Sequence, residues 1–306
     1  MYNEMTNIPH SAMKTWIEAM RLRTLPVSLS GVIAGTACSI MCESFKFVPT
    51  LLCLMFATLA QVASNFANEY FDYKNGLDKK GRVGFRRGVT EGDISPQAMK
   101  WATYATLAIA AIIGMMMLFY GEWWMVIIGA FIGVFALAYS AGPYPLSHHG
   151  LGDVAVVIFF GIVPVTLTCY LQTASWDSLT LSLPTSLSVG LLAANVLVVN
   201  NYRDMDDDKA VGKHTTVVLF GRKAMSRWYM AAGVMGVCVM WNVWTKLSIY
   251  SWIIPLVYLY LHISTWKRLT RSEGAALNPI LGETAKNLLL YSVGLLLCSL
   301  IIPFCG

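Results

Sequence analysis

Charge is scarce in this chain. Asp, Glu, Lys and Arg make up 13% of its 306 residues, against about 25% in an ordinary soluble domain. Hydrophobic residues reach 56% and mean hydropathy is +0.57, so the bilayer is the expected solvent. Paired cysteine motifs are also missing. Cys38, Cys42, Cys53, Cys169, Cys238, Cys298 and Cys305 form no C-x-x-C pair and have no histidine at zinc spacing. That excludes a zinc centre and leaves the cysteines as packing residues. The first 23 residues lack an apolar core and carry Glu4, Lys14, Glu18, Arg21 and Arg23, which excludes a cleavable signal there and makes the spans themselves the expected insertion signals. A net charge of +5 gives no ground for a nucleic-acid partner. Met13, Trp16, Ile17 and Met20 fall at helical spacing, which suits a short helix lying on the membrane surface.

What is present in quantity is apolar sequence of spanning length. A helix needs about 20 mostly apolar residues to cross the hydrocarbon core, and nine windows fit, at roughly 25–42, 49–71, 98–119, 123–141, 152–173, 179–202, 224–244, 249–266 and 285–303. With the N-terminus in the cytoplasm, all of the 22 Lys and Arg except Lys46 and Lys246 fall on the cytoplasmic side, as the positive-inside rule requires. Of the 17 Asp and Glu, only Glu43, Glu122 and Asp177 fall in outer loops. The chemistry is therefore expected on the cytoplasmic face of a cytoplasmic membrane. The fold class is an all-α polytopic bundle, with residues 1–306 as one domain.

Two of these windows end in acid. Gln61, Asn65, Asn68 and Asp72 stand at i, i+4, i+7 and i+11, one stripe of a helix, followed by Gly76 and Asp78. Asn201, Asp204 and Asp208 stand at i, i+3 and i+7, followed by Gly212, Lys213, His214 and Thr215. Asp206 and Asp207 point off that stripe, into solvent. Such residues are costly in a membrane helix unless they face a wet cavity or one another. The two ends lie on the same side and read as an internal pseudo-repeat. Facing carboxylates repel unless cations sit between them; hard oxygens select magnesium, which completes its shell with water and phosphate, so the implied ligand is a diphosphate.

At these residues the chain resembles the UbiA superfamily of intramembrane prenyltransferases. Asn68, Asp72 and Asp78 match its first signature, and Asp204 and Asp208 its second. The text at 21–37, 68–95, 139–165 and 200–221 is most similar to the branch that prenylates 1,4-dihydroxy-2-naphthoate, with Glu69 where that branch usually has Asp. The resemblance implies helices around a central cavity and a prenyl tunnel open toward membrane lipid. It also implies two Mg2+ ions, one on Asn68, Asp72 and Asp78 and the other on Asp204 and Asp208.

The substrates implied are a polyprenyl diphosphate and the naphthoate acceptor, with 4-hydroxybenzoate or homogentisate as alternative acceptors. Arg23, Lys79, Arg82, Arg87 and Lys213 are candidate phosphate contacts. Asn201 is a further substrate contact, and Tyr139, Tyr144 and Tyr202 are candidates for the wall around an allylic cation. His148 and His149 are candidates to position or deprotonate the acceptor. Gly31/Gly35 and Gly129/Gly133 are expected to be close helix contacts. A transporter is the reading from another class; it calls for ionisable groups buried in mid-span, whereas here the acids gather at cytoplasmic ends.

Overall fold

Lipid offers no partner to a backbone amide, and a helix satisfies its amides within its own segment. The computed structural model describes residues 12–301, and no strand occurs among the described residues. The expectations on residues 1–11 and on Cys305 lie outside them. The first three helices are α1 (Ala12–Ala19), α2 (Leu25–Met41) and α3 (Phe47–Lys74). They are followed by α4 (Pro96–Met116), α5 (Trp124–Ala138), α6 (Gly152–Thr173) and α7 (Leu179–Ala210). The bundle is completed by α8 (Thr216–Val239), α9 (Trp241–Leu247), α10 (Ile253–Leu269) and α11 (Leu277–Ile301).

Among the described residues, each expected window lies largely on helix. Among the described residues, six stretches are long and apolar enough to cross a membrane, or seven if α8 and α9, bent by 46°, count as one. With 15 residues, α5 is short for a straight crossing, and length and composition together give six or seven crossings where nine were expected. By contrast α3 and α7, with 28 and 32 residues, are about 42 and 48 Å long at 1.5 Å per residue. Their acid-tipped ends therefore run on as helix beyond the hydrocarbon core.

The core gathers around α2 and α7, which pack on each other and on α6 and α11. Close approach comes from missing side chains. A Cβ on Gly31 would lie 2.7 Å from Pro164 Cγ, one on Gly35 2.5 Å from the Val165 carbonyl, and one on Gly161 2.4 Å from the Gly190 Cα. Pro164 has no N–H to donate, and α6 opens into a π-helical stretch at Val157–Ile162 just before it. Gly129 and Gly133 depart from expectation: a Cβ on either meets nothing within 4 Å. They line open space in a cavity between helices.

The surface helix also divides differently. The Trp16 ring stands edge-on to Phe66 at 5.6 Å, and Met20 packs on the same cluster. Met13 and Ile17 face outward, so α1 is docked on the bundle by one edge of its apolar stripe.

Candidate active site

Both acidic helices stop in the same way. At the end of α3, Gly76 at φ 68 lets Leu77 N–H reach the Asp72 carbonyl at 2.9 Å. At the end of α7, Gly212 at φ 77 lets Lys213 N–H reach the Asp208 carbonyl, also at 2.9 Å. These are Schellman turns, which need a left-handed residue that glycine adopts without strain. The pseudo-repeat is thus a structural one, with Asp72 and Asp208 four residues before the glycine in each case.

The two ends are stitched together by basic side chains. Lys213 Nζ donates to Asp72 Oδ2 at 3.0 Å. Arg82 donates from one nitrogen to Asp78 Oδ1 at 2.7 Å and from the other to Asp204 Oδ2 at 2.8 Å. Arg87 donates to Asn68 Oδ1 at 2.8 Å and stands 3.1 Å from Asp78 Oδ2. Burial raises the pKa of the Asp78 carboxyl against the opposing pull of Arg82. Burial also acts to lower that of Arg82, but Asp204 and Asp78 outweigh it and the guanidinium is held above its ordinary value.

The loop carrying Arg82 and Arg87 is pinned over the site. Glu69, fully buried, accepts from Val89 N–H at 3.0 Å, and Asn278 Nδ2 donates to the Val83 carbonyl at 3.0 Å. Gly84 lies against Arg203, whose Nη2 would be 2.6 Å from a Cβ there.

A polar cavity of about 180 Å³ opens between the ends, lined by Gln61, Asn65, Asn68, Asp72, Asn201, Asp204 and Asp208, together with Arg82, Arg87 and Lys213. Both stripes read from helical spacing therefore face one space. Tyr139 lines it too. Other candidates fall elsewhere. Asp78 is not among the lining residues and sits behind Arg82 and Arg87. Arg23 and Lys79 are exposed and outside the cavity. At the first of these, the left-handed turn at Arg21 (φ 53) leads into a 3-10 turn over Leu22–Thr24, and it is Arg21 that enters, donating to Asn68 Oδ1 at 2.6 Å.

Tyr202 is buried outside the cavity, with the Arg222 guanidinium 5.7 Å from its ring centroid. Tyr144 is exposed and stacks on His149 at 3.5 Å, away from the cavity. His148 Nε2 lies 3.8 Å from Asp72 Oδ1. Asp206 is exposed and pairs with Arg222; Asp207 is exposed too.

Sequence reasoning passed over Arg21, Phe85, Asn200 and Arg203. Arg203 donates to both Asp204 oxygens at 2.7 and 2.8 Å and to Asn200 at 2.9 Å. Phe85 lies under both arginines, 5.7 Å from Arg21 and 5.6 Å from Arg203. Asn200 and Arg203 at i and i+3 were legible as neighbours on the helix; Phe85, in a loop, carried no such signal.

Among the described residues no group of three or more His, Cys, Asp or Glu is arranged to hold a metal ion unaided. The donors nevertheless suit magnesium. They are hard oxygens around one cavity, and Asp72 Oδ1 is buried with no hydrogen-bond partner. An ion bound by one or two of them, with phosphate oxygens completing its shell, meets the known preference of magnesium.

Beside the polar cavity lies a second one of about 550 Å³ with mostly apolar lining, drawn from α2, α3, α4, α5 and α6. The two share Gln61, Ser64, Tyr139, Val156 and Phe160. An acid-and-base-lined cavity thus adjoins an apolar one across a shared wall.

The sequence model of the UbiA prenyltransferase family matches residues 28–301. The 1,4-dihydroxy-2-naphthoate octaprenyltransferase of Escherichia coli (strain K12) is 34% identical over 298 residues, 94% of this chain and 95% of that one. The Haemophilus influenzae protein of the same name is 36% identical over 217 residues, 68% of this chain and 70% of that one. A solved UbiA homolog from Archaeoglobus fulgidus bound to GPP and Mg2+ superposes with TM-score 0.68 at 16% identity, covering 92% of this chain and 99% of its own. The apo UbiA homolog from Aeropyrum pernix K1 gives TM-score 0.71 at 14% identity, over 89% and 97%. With its fold shared by these structures and its sequence matched almost end to end, the chain belongs to the UbiA prenyltransferase family.

Proposed function

We propose that this chain transfers a polyprenyl group from polyprenyl diphosphate to 1,4-dihydroxy-2-naphthoate, releasing diphosphate and carbon dioxide and forming demethylmenaquinol. One observation carries the reading. A cavity walled by Asp72, Asp204, Asp208, Arg82, Arg87 and Lys213 adjoins an apolar one across shared lining residues, an arrangement that suits an amphiphile with a charged head and a hydrocarbon tail. The naphthoate acceptor follows from the relatives that match along most of the chain.

Magnesium would be held by Asn68, Asp72, Asp204 and Asp208, with Asp78 behind them, and would neutralise charge growing on the leaving diphosphate. Arg21, Arg82, Arg87, Arg203 and Lys213 supply donors to the phosphate oxygens. The carbon–oxygen bond at the first prenyl carbon breaks, and its electron pair leaves with the diphosphate. Tyr139 and Phe160 stand at the junction of the two cavities, where their rings stabilise the allylic cation. The ring carbon bearing the acceptor carboxylate attacks the cation. Loss of carbon dioxide returns an electron pair to the ring and restores its aromaticity.

The whole chain acts as one domain in the cytoplasmic membrane, N-terminus and site on the cytoplasmic side, a placement supported by the distribution of Lys and Arg. The test is an assay of purified protein with polyprenyl diphosphate, magnesium or chelator, and a panel of acceptors. Product with naphthoate and magnesium is expected. Product with 4-hydroxybenzoate alone refutes the acceptor, and turnover in chelator refutes the metal.

A further inference from the structure

The apolar cavity is lined by α5 along most of its length. Met125, Gly129, Ile132, Gly133, Ala136 and Tyr139 all line it, at spacings of three, four and seven that keep them on one side of a helix. Tyr139 also lines the polar cavity, whereas Met125 lies at the other end of the row. From Tyr139 back to Met125 is about 21 Å at 1.5 Å per residue, with Gly133 about 9 Å and Gly129 about 15 Å along the way.

At both glycines the added Cβ meets no atom within 4 Å. They differ in this from Gly31, Gly35 and Gly161, where a Cβ would strike a neighbouring helix, and from Gly114 on the facing α4, whose Cβ would touch Phe56 at 3.3 Å. The two glycines of this helix, with no atom where a Cβ would stand, hold open space that larger side chains would fill.

We propose that Gly133 and Gly129 are what admits long prenyl chains to this enzyme, as two successive marks along the channel. This deepens the proposed function and rests on it. With the diphosphate fixed at the acidic ends, the tail must pass Gly133 before Gly129. A bulky side chain at the nearer mark stops shorter tails than the same side chain at the farther one. Tails too short to reach either mark are untouched.

The experiment compares wild type, Gly133→Leu and Gly129→Leu with dimethylallyl, geranyl, farnesyl, geranylgeranyl and longer polyprenyl diphosphates, with 1,4-dihydroxy-2-naphthoate as acceptor. Overpacking a filled channel lowers kcat/KM for blocked donors by about tenfold or more, while dimethylallyl diphosphate, one isoprene unit long, stays within about threefold of wild type. The cut-off falls at a shorter donor for Gly133→Leu than for Gly129→Leu. Retained turnover with dimethylallyl diphosphate shows in the same assay that the variant is folded. Gly133→Val and Gly129→Val provide smaller plugs if a leucine variant cannot be purified. Equal use of long donors by variant and wild type overturns the inference, as does equal loss with every donor in both the leucine and valine series. If wild type prenylates naphthoate with no donor, it is the proposed function that fails.

Discussion

Lys213 Nζ lies 3.0 Å from Asp72 Oδ2, across 141 residues of sequence. The contact joins the turn after one acidic helix to the tip of the other, and both groups are largely shielded from water. Lys213→Ala removes a charge-assisted hydrogen bond of about 1.5–3 kcal/mol. It should lower kcat/KM for the polyprenyl diphosphate by about tenfold to a hundredfold, chiefly through KM, and Lys213→Arg should recover part of the loss. Steady-state kinetics with varied donor decide this; an unchanged kcat/KM would remove Lys213 from the site.

Asp72 and Asp208 hold equivalent positions in the two Schellman turns and line one cavity. Asp72→Ala and Asp208→Ala should each abolish turnover while the protein still elutes as a folded bundle in gel filtration. Asp206→Ala should keep near-wild-type activity, because the Asp206 side chain is 79% exposed. Chelation should stop wild-type turnover and added magnesium restore it. Near-normal turnover in either alanine variant would falsify its place in the site.

Glu69 supports the loop that carries Arg82 and Arg87 through its 3.0 Å hydrogen bond from Val89 N–H. Glu69→Ala leaves a buried amide without its partner, a loss of about 1–3 kcal/mol. Faster tryptic cleavage after Lys79 and Lys80, both exposed, and a raised KM for the diphosphate are the expected signs. A wild-type cleavage pattern would show that the loop is held by other contacts.

Gly35 is where α2 and α6 meet at backbone distance. Any Cβ there would lie 2.5 Å from the Val165 carbonyl oxygen and 2.9 Å from Thr168 Cβ. Since backbone cannot rotate away as a side chain can, Gly35→Leu should destabilise the bundle by about 1–3 kcal/mol or more. A lower thermal midpoint in detergent is the readout. At Gly129, where a Cβ meets open space, Gly129→Ala should leave the midpoint unchanged.

The helices were readable because lipid leaves the backbone few choices, and the polar stripes Gln61–Asp72 and Asn201–Asp208 were readable because helical spacing fixes which residues share a face. The spanning windows of α3 and α7 stop short of their helix ends because hydropathy falls at polar tips that stay helical until Gly76 and Gly212 turn the chain, and where those turns come was not read. Arg23 and Tyr202 were placed by proximity in sequence to motif residues, and proximity does not give direction. A left-handed Arg21 and the packing of Arg222 on Tyr202 send both side chains elsewhere. The two G-x-x-x-G pairs look alike as text, yet one is a helix contact and the other an opening, since the spacing says only that a face is small.

By itself the sequence determined the solvent, the helices and which polar residues share a stripe at the acid-tipped ends, because hydropathy and helical period are local properties. Only the tertiary structure decided that Arg82 and Lys213 would join the two ends. It alone also decided that Arg21 and Arg203 would enter the cavity, and that an apolar channel would open along Gly133 and Gly129. Those relations depend on how far apart packed helices stand and where loops return, distances set by many contacts at once and by no single stretch of chain.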